Sequence, residues 1–235
     1  MIIFNSNELS LLGRINEIKR NIFPDFELDT KMFPGNVGEV LVRKRIGRRL
    51  IEVTMTLKSD NLEDKADDLA DALASDFPVP ITFEDQPGFT YYGMVQSSIN
   101  KEDLIKNIGR VTFVIACLDP YKYYYESIAS TSTGSVDIYI ENEPTLPVMD
   151  ITINQAFSNL HISNGSKTLG IIWNFVIGDT INIDFEKEKI IINNELKMVA
   201  LDLENPDYFY LEKGTNTITF SNNCDVNVVY RERRL

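Results

Sequence analysis

The chain has 235 residues, 35 of them Asp or Glu against 23 Lys or Arg, for a formal net charge of -12 at pH 7. Such acidity opposes general affinity for a phosphate backbone, and no apolar run approaches the roughly 20 residues that a membrane-crossing helix requires. With 43% hydrophobic residues the chain can fold on an ordinary core, and two distant cysteines, Cys117 and Cys224, match no metal-ligand spacing.

The first eight residues lack the basic flank and long apolar core of a secretory signal, so synthesis in a cytoplasm is expected. Further on, Arg43, Lys44, Arg45, Arg48 and Arg49 make a basic cluster ahead of a strong strand. In an acidic protein this cluster suits an acidic patch on a neighbouring copy better than nucleic acid. Ile51, Val53, Met55 and Leu57 then alternate with polar residues, the period of a half-buried strand.

One segment reads as helix, opened by a capping box at Asp60 and Glu63. Leu62, Ala66, Leu69 and Leu73 form its apolar stripe, while Asp64, Asp67, Asp68 and Asp71 form a solvated face. Prolines at 78 and 80 stop it. Residues 81–83 and 91–97 flank the turn-rich Glu84-Asp85-Gln86-Pro87-Gly88 and predict a hairpin. Residues 110–118 are nearly apolar throughout, as expected of a strand covered on both faces.

The run Tyr121-Lys122-Tyr123-Tyr124-Tyr125 suits packing between domains or subunits. Residues 126–135, rich in Ser, Thr, Ala and Gly, read as a linker, which places domain boundaries at 1–125 and 126–235. Short strands follow at 136–140, 148–153, 160–162, 168–173, 180–185, 189–192, 217–220 and 226–230. Asn164-Gly165, Gly178-Asp179 and Asn193-Asn194 supply turn residues between them, and Lys213-Gly214-Thr215-Asn216 reads as the turn before the last two strands. The fold class is mainly β: an N-terminal sandwich-like domain with one α-helix, then a jelly-roll sandwich.

Catalytic vocabulary is thin. His161 is the one histidine, without a nucleophile elbow, and reads as an ordinary strand-face residue. No phosphate loop or zinc ligand set is apparent, no cofactor is expected, and both cysteines read as small buried hydrophobes. Glycoside cleavage would need two carboxylates in contrasting environments, which nothing singles out. Sugar binding has better candidates in Trp173 and Tyr139 as an aromatic platform, although a lone tryptophan in an Ile-rich strand usually belongs to a core.

The order of several strings resembles the distal tail protein (Dit) family of long-tailed, non-contractile phages and prophages of Gram-positive hosts. They are Gly47-Arg48-Arg49-Leu50-Ile51-Glu52-Val53, the helix, Pro80-Ile81-Thr82-Phe83-Glu84-Asp85-Gln86-Pro87, and Phe113 to Tyr121 with its Leu118-Asp119-Pro120. Later come Asn142-Glu143-Pro144-Thr145-Leu146-Pro147, Gly178-Asp179-Thr180-Ile181-Asn182-Ile183-Asp184, and Leu211-Glu212-Lys213-Gly214-Thr215-Asn216-Thr217-Ile218-Thr219-Phe220. The resemblance implies a ring-forming belt domain over 1–125 and a galectin-like sandwich over 126–235. It also implies a non-enzymatic hub at the virion tail tip: a homo-hexamer joining the tail tube and terminator-side proteins to the tail-associated hub protein, and anchoring receptor-binding proteins. DNA would pass its lumen without specific binding, and no membrane is involved. A carbohydrate-binding module for host adhesion is the alternative.

Overall fold

The alternation of Ile51, Val53, Met55 and Leu57 places all four side chains on one face of a strand, and all four are fully buried. A computed structural model describes residues 1–35, 37–96 and 100–235. Its contacts divide the chain into two units, Met1–Tyr123 and Tyr124–Arg234.

In the first unit the strands are β1 (Ile2–Phe4), β2 (Asn7–Glu8), β3 (Arg14–Arg20), β4 (Phe26–Lys31), β5 (Val40–Ile46), β6 (Arg49–Lys58), β7 (Val79–Phe83), β8 (Thr90–Val95), β9 (Asn100–Ile105) and β10 (Ile108–Cys117). β6 lies between β10 and β3, with Val53 opposite Phe113 and Ile51 opposite Ile115. β7 and β8 form the expected hairpin, Ile81 opposite Tyr91, though Ser97, the end of the predicted second strand, lies outside the described residues. β1 lies along β7 and carries Ile2 and Phe4 into the same core.

Among the described residues α1 (Leu62–Leu73) is the one α-helix. Leu69 and Leu73 are buried, Leu62 and Ala66 pack against the core, and the four predicted surface aspartates are exposed. Its cap differs from the expectation: the Asn61 side chain accepts from the Glu63 N–H at 3.2 Å, whereas Asp60 Oδ1 accepts from Asn107 Nδ2. β10 also differs, because Arg110 is exposed and Thr112 and Val114 half-buried. Only Ile115, Ala116 and Cys117 are buried in succession. There Gly93 of β8 comes so close that a Cβ would stand 2.9 Å from Ile115 Cγ2.

Residues 126–131 are strand, not linker: β11 (Lys122–Thr131) pairs with β8 through Lys122 and Tyr123 and continues across the contact boundary. Alternating small and β-branched residues are as compatible with an exposed strand as with a loop.

The second unit adds β12 (Ser135–Ile140), β13 (Val148–Ile153), β14 (Phe157–Ser163), β15 (Thr168–Phe175), β16 (Thr180–Asp184), β17 (Lys189–Ile192), β18 (Glu195–Leu196), β19 (Leu201–Pro206), β20 (Gly214–Phe220) and β21 (Cys224–Arg234). One sheet runs β12-β20-β14-β15-β19, and its partner contains β21-β13-β16-β17-β18. Ile138, Ile162 and Ile171 from the first meet Ile151, Ile183 and Val228 from the second in a single core. This is a β-sandwich, and with the strands of the first unit it makes the chain mainly β.

The turn chemistry holds at Gly165 and Gly178, with φ of 88° and 91°, and at Asn193 and Asn194, with φ of 51° and 65°. It fails at Thr215 and Asn216, which lie inside β20. Asn216 is buried and laces the connection ahead of it: its Oδ1 accepts from the Glu212 N–H, and its Nδ2 donates to the carbonyls of Glu212, Gly214 and Ile138.

Candidate functional site

The most unusual surface in the chain is the hairpin of β4 and β5. These two strands form a sheet of their own, and every residue in both is exposed. A free two-stranded hairpin is marginal in water unless something covers it.

Register sorts its side chains into two faces. Phe26 stands opposite Ile46 and Leu28 opposite Lys44, so Phe26, Leu28 and Ile46 share one face at 38%, 59% and 40% exposure. The Lys44 ammonium lies over the Phe26 ring at 4.0 Å, which extends that face without breaking its apolar character. Glu27 opposite Arg45 and Asp29 opposite Arg43 make the other face, with Arg45 Nη2 3.7 Å from Asp29 Oδ2. Beyond a bulge at Asp29/Thr30, Val40, Met32, Phe33 and Val37 carry exposed apolar surface toward the tip. Gly35 there takes a φ of 89°, a backbone setting that suits glycine.

Two contacts hold the hairpin's root. The Gly47 N–H donates to the Asp25 carbonyl at 2.7 Å. Arg49, only 3% exposed, donates from Nη1 to the carbonyls of Asn21 at 2.7 Å and Ile22 at 3.4 Å, and from Nε to that of Pro120 at 3.1 Å.

The predicted basic cluster is therefore not one surface. Arg43, Lys44 and Arg45 are on β5, Arg48 is exposed beyond its end, and Arg49 is interior. Arg43 and Arg45 stand opposite Asp29 and Glu27 on their own hairpin, and Arg45 makes an ion pair with Asp29. The apolar face of Phe26, Leu28 and Ile46 escaped the sequence reading. Its signal was present in the alternation of residues 26–31 and 40–46 about Pro34-Gly35.

Tyr139 and Trp173 are not brought together. Tyr139 lies between buried Ile138 and Ile140, so it points outward and is 65% exposed. Trp173 shares the inward parity of Ile171 and Phe175 and packs against the core. They stand on opposite faces of one sheet with β20 and β14 between their strands.

His161 Nε2 is 3.8 Å from Asp202 Oδ2, a carboxylate already accepting from Asn205 Nδ2 and the Glu204 N–H. Those turn hydrogen bonds, led by Asn205, hold the Asp202 pKa below its ordinary value. The adjoining depression of about 360 Å³ is lined by His161, Ser163, Thr168, Asn205, Thr219, Phe220 and Ser221, and it contains neither a nucleophile–base pair nor an aromatic platform of two rings. Burial pushes the thiols of Cys117 and Cys224 up to about 11, and both are free. Among the described residues no group of three or more His, Cys, Asp or Glu side chains could hold a metal ion.

Comparison with known proteins yields a consistent picture. Residues 7–117 match a model described as a phage tail protein RIFT-related domain. Residues 142–233 match one described as a siphovirus-type tail component, C-terminal domain. The distal tail protein of Bacillus phage SPP1 is 26% identical over 229 residues, covering 92% of this chain and 88% of that protein. The crystal structure of SPP1 Dit, described as a paradigm of the hub adsorption apparatus in phages infecting Gram-positive bacteria, superposes with a TM-score of 0.88 at 21% identity. It covers 100% of this chain and 98% of its own. A chain of the phage p2 baseplate in its activated conformation with strontium gives a TM-score of 0.51 at 13% identity, covering 92% of this chain and 89% of its own. With both units matched in order and nearly the whole length aligned, this chain belongs to the distal tail protein (Dit) family of siphovirus-type phages.

Proposed function

We propose that this protein is a structural, non-enzymatic hub of a phage tail tip. It acts by assembling with copies of itself, as a hexameric ring, and by joining the tail tube to the tail-associated hub and to receptor-binding proteins. The observation that carries this reading is the β4–β5 hairpin, whose apolar face of Phe26, Leu28 and Ile46 is uncovered in the single chain. Exposed apolar surface of this kind, on an element too small to be stable alone, marks an interface. Residues 1–125 would then be the belt that closes the ring and residues 126–235 a galectin-like sandwich. The likeness to the SPP1 distal tail protein along both units supports the same role.

Arg43, Lys44 and Arg45 sit at this interface as its charged border, and Arg48 lies just beyond it. The net charge of -12 per chain suits a lumen through which DNA passes without adhering. Micromolar retention of duplex DNA at physiological salt would count against that lumen.

Mass photometry and negative-stain imaging of the purified protein, alone and with its tail partners, test the reading. Rings, or a discrete oligomer, are expected. A protein that stays monomeric at high concentration and forms no ring with partners present overturns it.

A further inference from the structure

The geometry points to Arg49 as the residue that sets the direction in which the β4–β5 hairpin projects, a positioning role that rests on the assembly reading above. Arg48 and Arg49 are neighbours of the same type, but only Arg49 is interior. Its guanidinium spans two segments that are otherwise irregular: the stretch after β3, through the carbonyls of Asn21 and Ile22, and the turn after β10, through that of Pro120. The planar fork of arginine can reach all three acceptors at once, which the single ammonium of lysine cannot.

Among the described residues nothing inside the hairpin can substitute for this anchor. All its strand residues are exposed, and apart from β4 pairing with β5 the root has the buried Pro24 and the Gly47–Asp25 hydrogen bond, which acts as a pivot between the two strands. Gly47 itself is close-set, with a built Cβ only 3.1 Å from the Asp25 carbonyl oxygen. Residues 21–25 carry no regular structure and bury only Pro24, so without Arg49 the incoming strand could swing about Pro24 and that pivot while the core of β6, β8 and β10 kept its packing. An interface that presents Phe26 and Leu28 to a neighbour needs the hairpin held at one angle before contact, because freedom lost on association is charged against affinity.

The test is limited trypsin digestion of dilute wild-type, Arg49→Lys and Arg49→Gln protein, following cleavage at Lys31, Arg43 and Lys44 relative to cleavage at Arg110 in β10. Hairpin cleavage is expected to rise about fivefold or more relative to Arg110 in both variants, as for local opening without global opening. Self-association should weaken in parallel. An unchanged ratio overturns the assignment, and so does an equal rise at both places, which would make Arg49 a general stabiliser. The assembly reading fails separately, if Phe26→Glu with Leu28→Glu leaves self-association intact.

Discussion

Asp29 and Arg45 lie diagonally across the β4–β5 hairpin, with Arg45 Nη2 3.7 Å from Asp29 Oδ2, on the face opposite Phe26 and Leu28. Both side chains are more than half exposed, at 58% and 52%, so the pair contributes little to stability. It matches one of the two acids on that face, Glu27 and Asp29, with one of its two arginines, Arg43 and Arg45.

Apolar and charged substitutions in the hairpin should therefore behave differently. Phe26→Glu with Leu28→Glu should abolish self-association while leaving the circular dichroism spectrum unchanged. Arg43→Glu with Arg45→Glu should weaken association by about tenfold or less and make it more salt-sensitive, as expected of border charges. Equal losses from the two pairs, measured by sedimentation, would show that charge and not burial drives the contact.

Asn216 is a single side chain serving four backbone groups around residues 212–216 and β12. Asn216→Ala should cost about 2–3 kcal/mol, because carbonyls and an N–H are left unsatisfied in a buried place. Asn216→Asp keeps the acceptor for the Glu212 N–H but loses the three donated bonds. Thermal unfolding of the two variants measures this, and a midpoint unchanged by the alanine would refute the bracing role.

Gly93 has no room for a methyl group: a Cβ would meet Ile115 Cγ2 at 2.9 Å, Cys117 Sγ at 3.0 Å and the Ala116 carbonyl at 3.1 Å. Gly93→Ala should destabilise by about 1–3 kcal/mol, since one of those neighbours is backbone and the others are packed in a core. Denaturant titration should show a lower midpoint with an unchanged slope.

The two thiols predict the alkaline limit of stability. Burial holds Cys117 and Cys224 protonated in the folded chain to about pH 11, and Cys224 Sγ also donates to the Asn222 carbonyl at 3.3 Å. An unfolded thiol ionises near 8.5, so between that pH and 11 the unfolded state binds fewer protons and stability falls as pH rises. Cys117→Ala with Cys224→Ala should flatten that decline. Below pH 8 both thiols should resist a disulfide-exchange reagent until the protein unfolds, and rapid labelling of the native protein would contradict their burial.

Trp173 and Tyr139 should part company on truncation. Trp173→Ala removes a ring packed against the second core and should cost about 3 kcal/mol, whereas Tyr139→Ala on the outer face should fall within about 0.5 kcal/mol of wild type. Similar losses, measured by chemical unfolding, would mean the two rings share an environment.

Elements with one buried and one wet face could be read directly. β6 announces itself through Ile51, Val53, Met55 and Leu57, and α1 through its leucine stripe. The β4–β5 hairpin could not be read in that way, because neither of its faces meets its own unit's core. Residues 126–135 read as a linker because Ser, Thr and Ala suit an exposed strand and a loop alike, and 126–131 prove to be the second part of β11. The helix cap shifted by one residue, from Asp60 to Asn61, since either side chain can accept the same amide.

By itself the sequence determined the local periods, hence a mainly β chain with one amphipathic helix, and the order of short strings that marks the family. Tertiary structure alone decided that Arg49 rather than its neighbour Arg48 is inside, and that Asn216 is a brace rather than a turn tip. The physical reason is that periodicity depends on neighbours along the chain, whereas burial depends on what packs across from it. A strand's inward face is defined only once Ile171 has met the opposite sheet, or once Asn21, Ile22 and Pro120 have closed around a guanidinium.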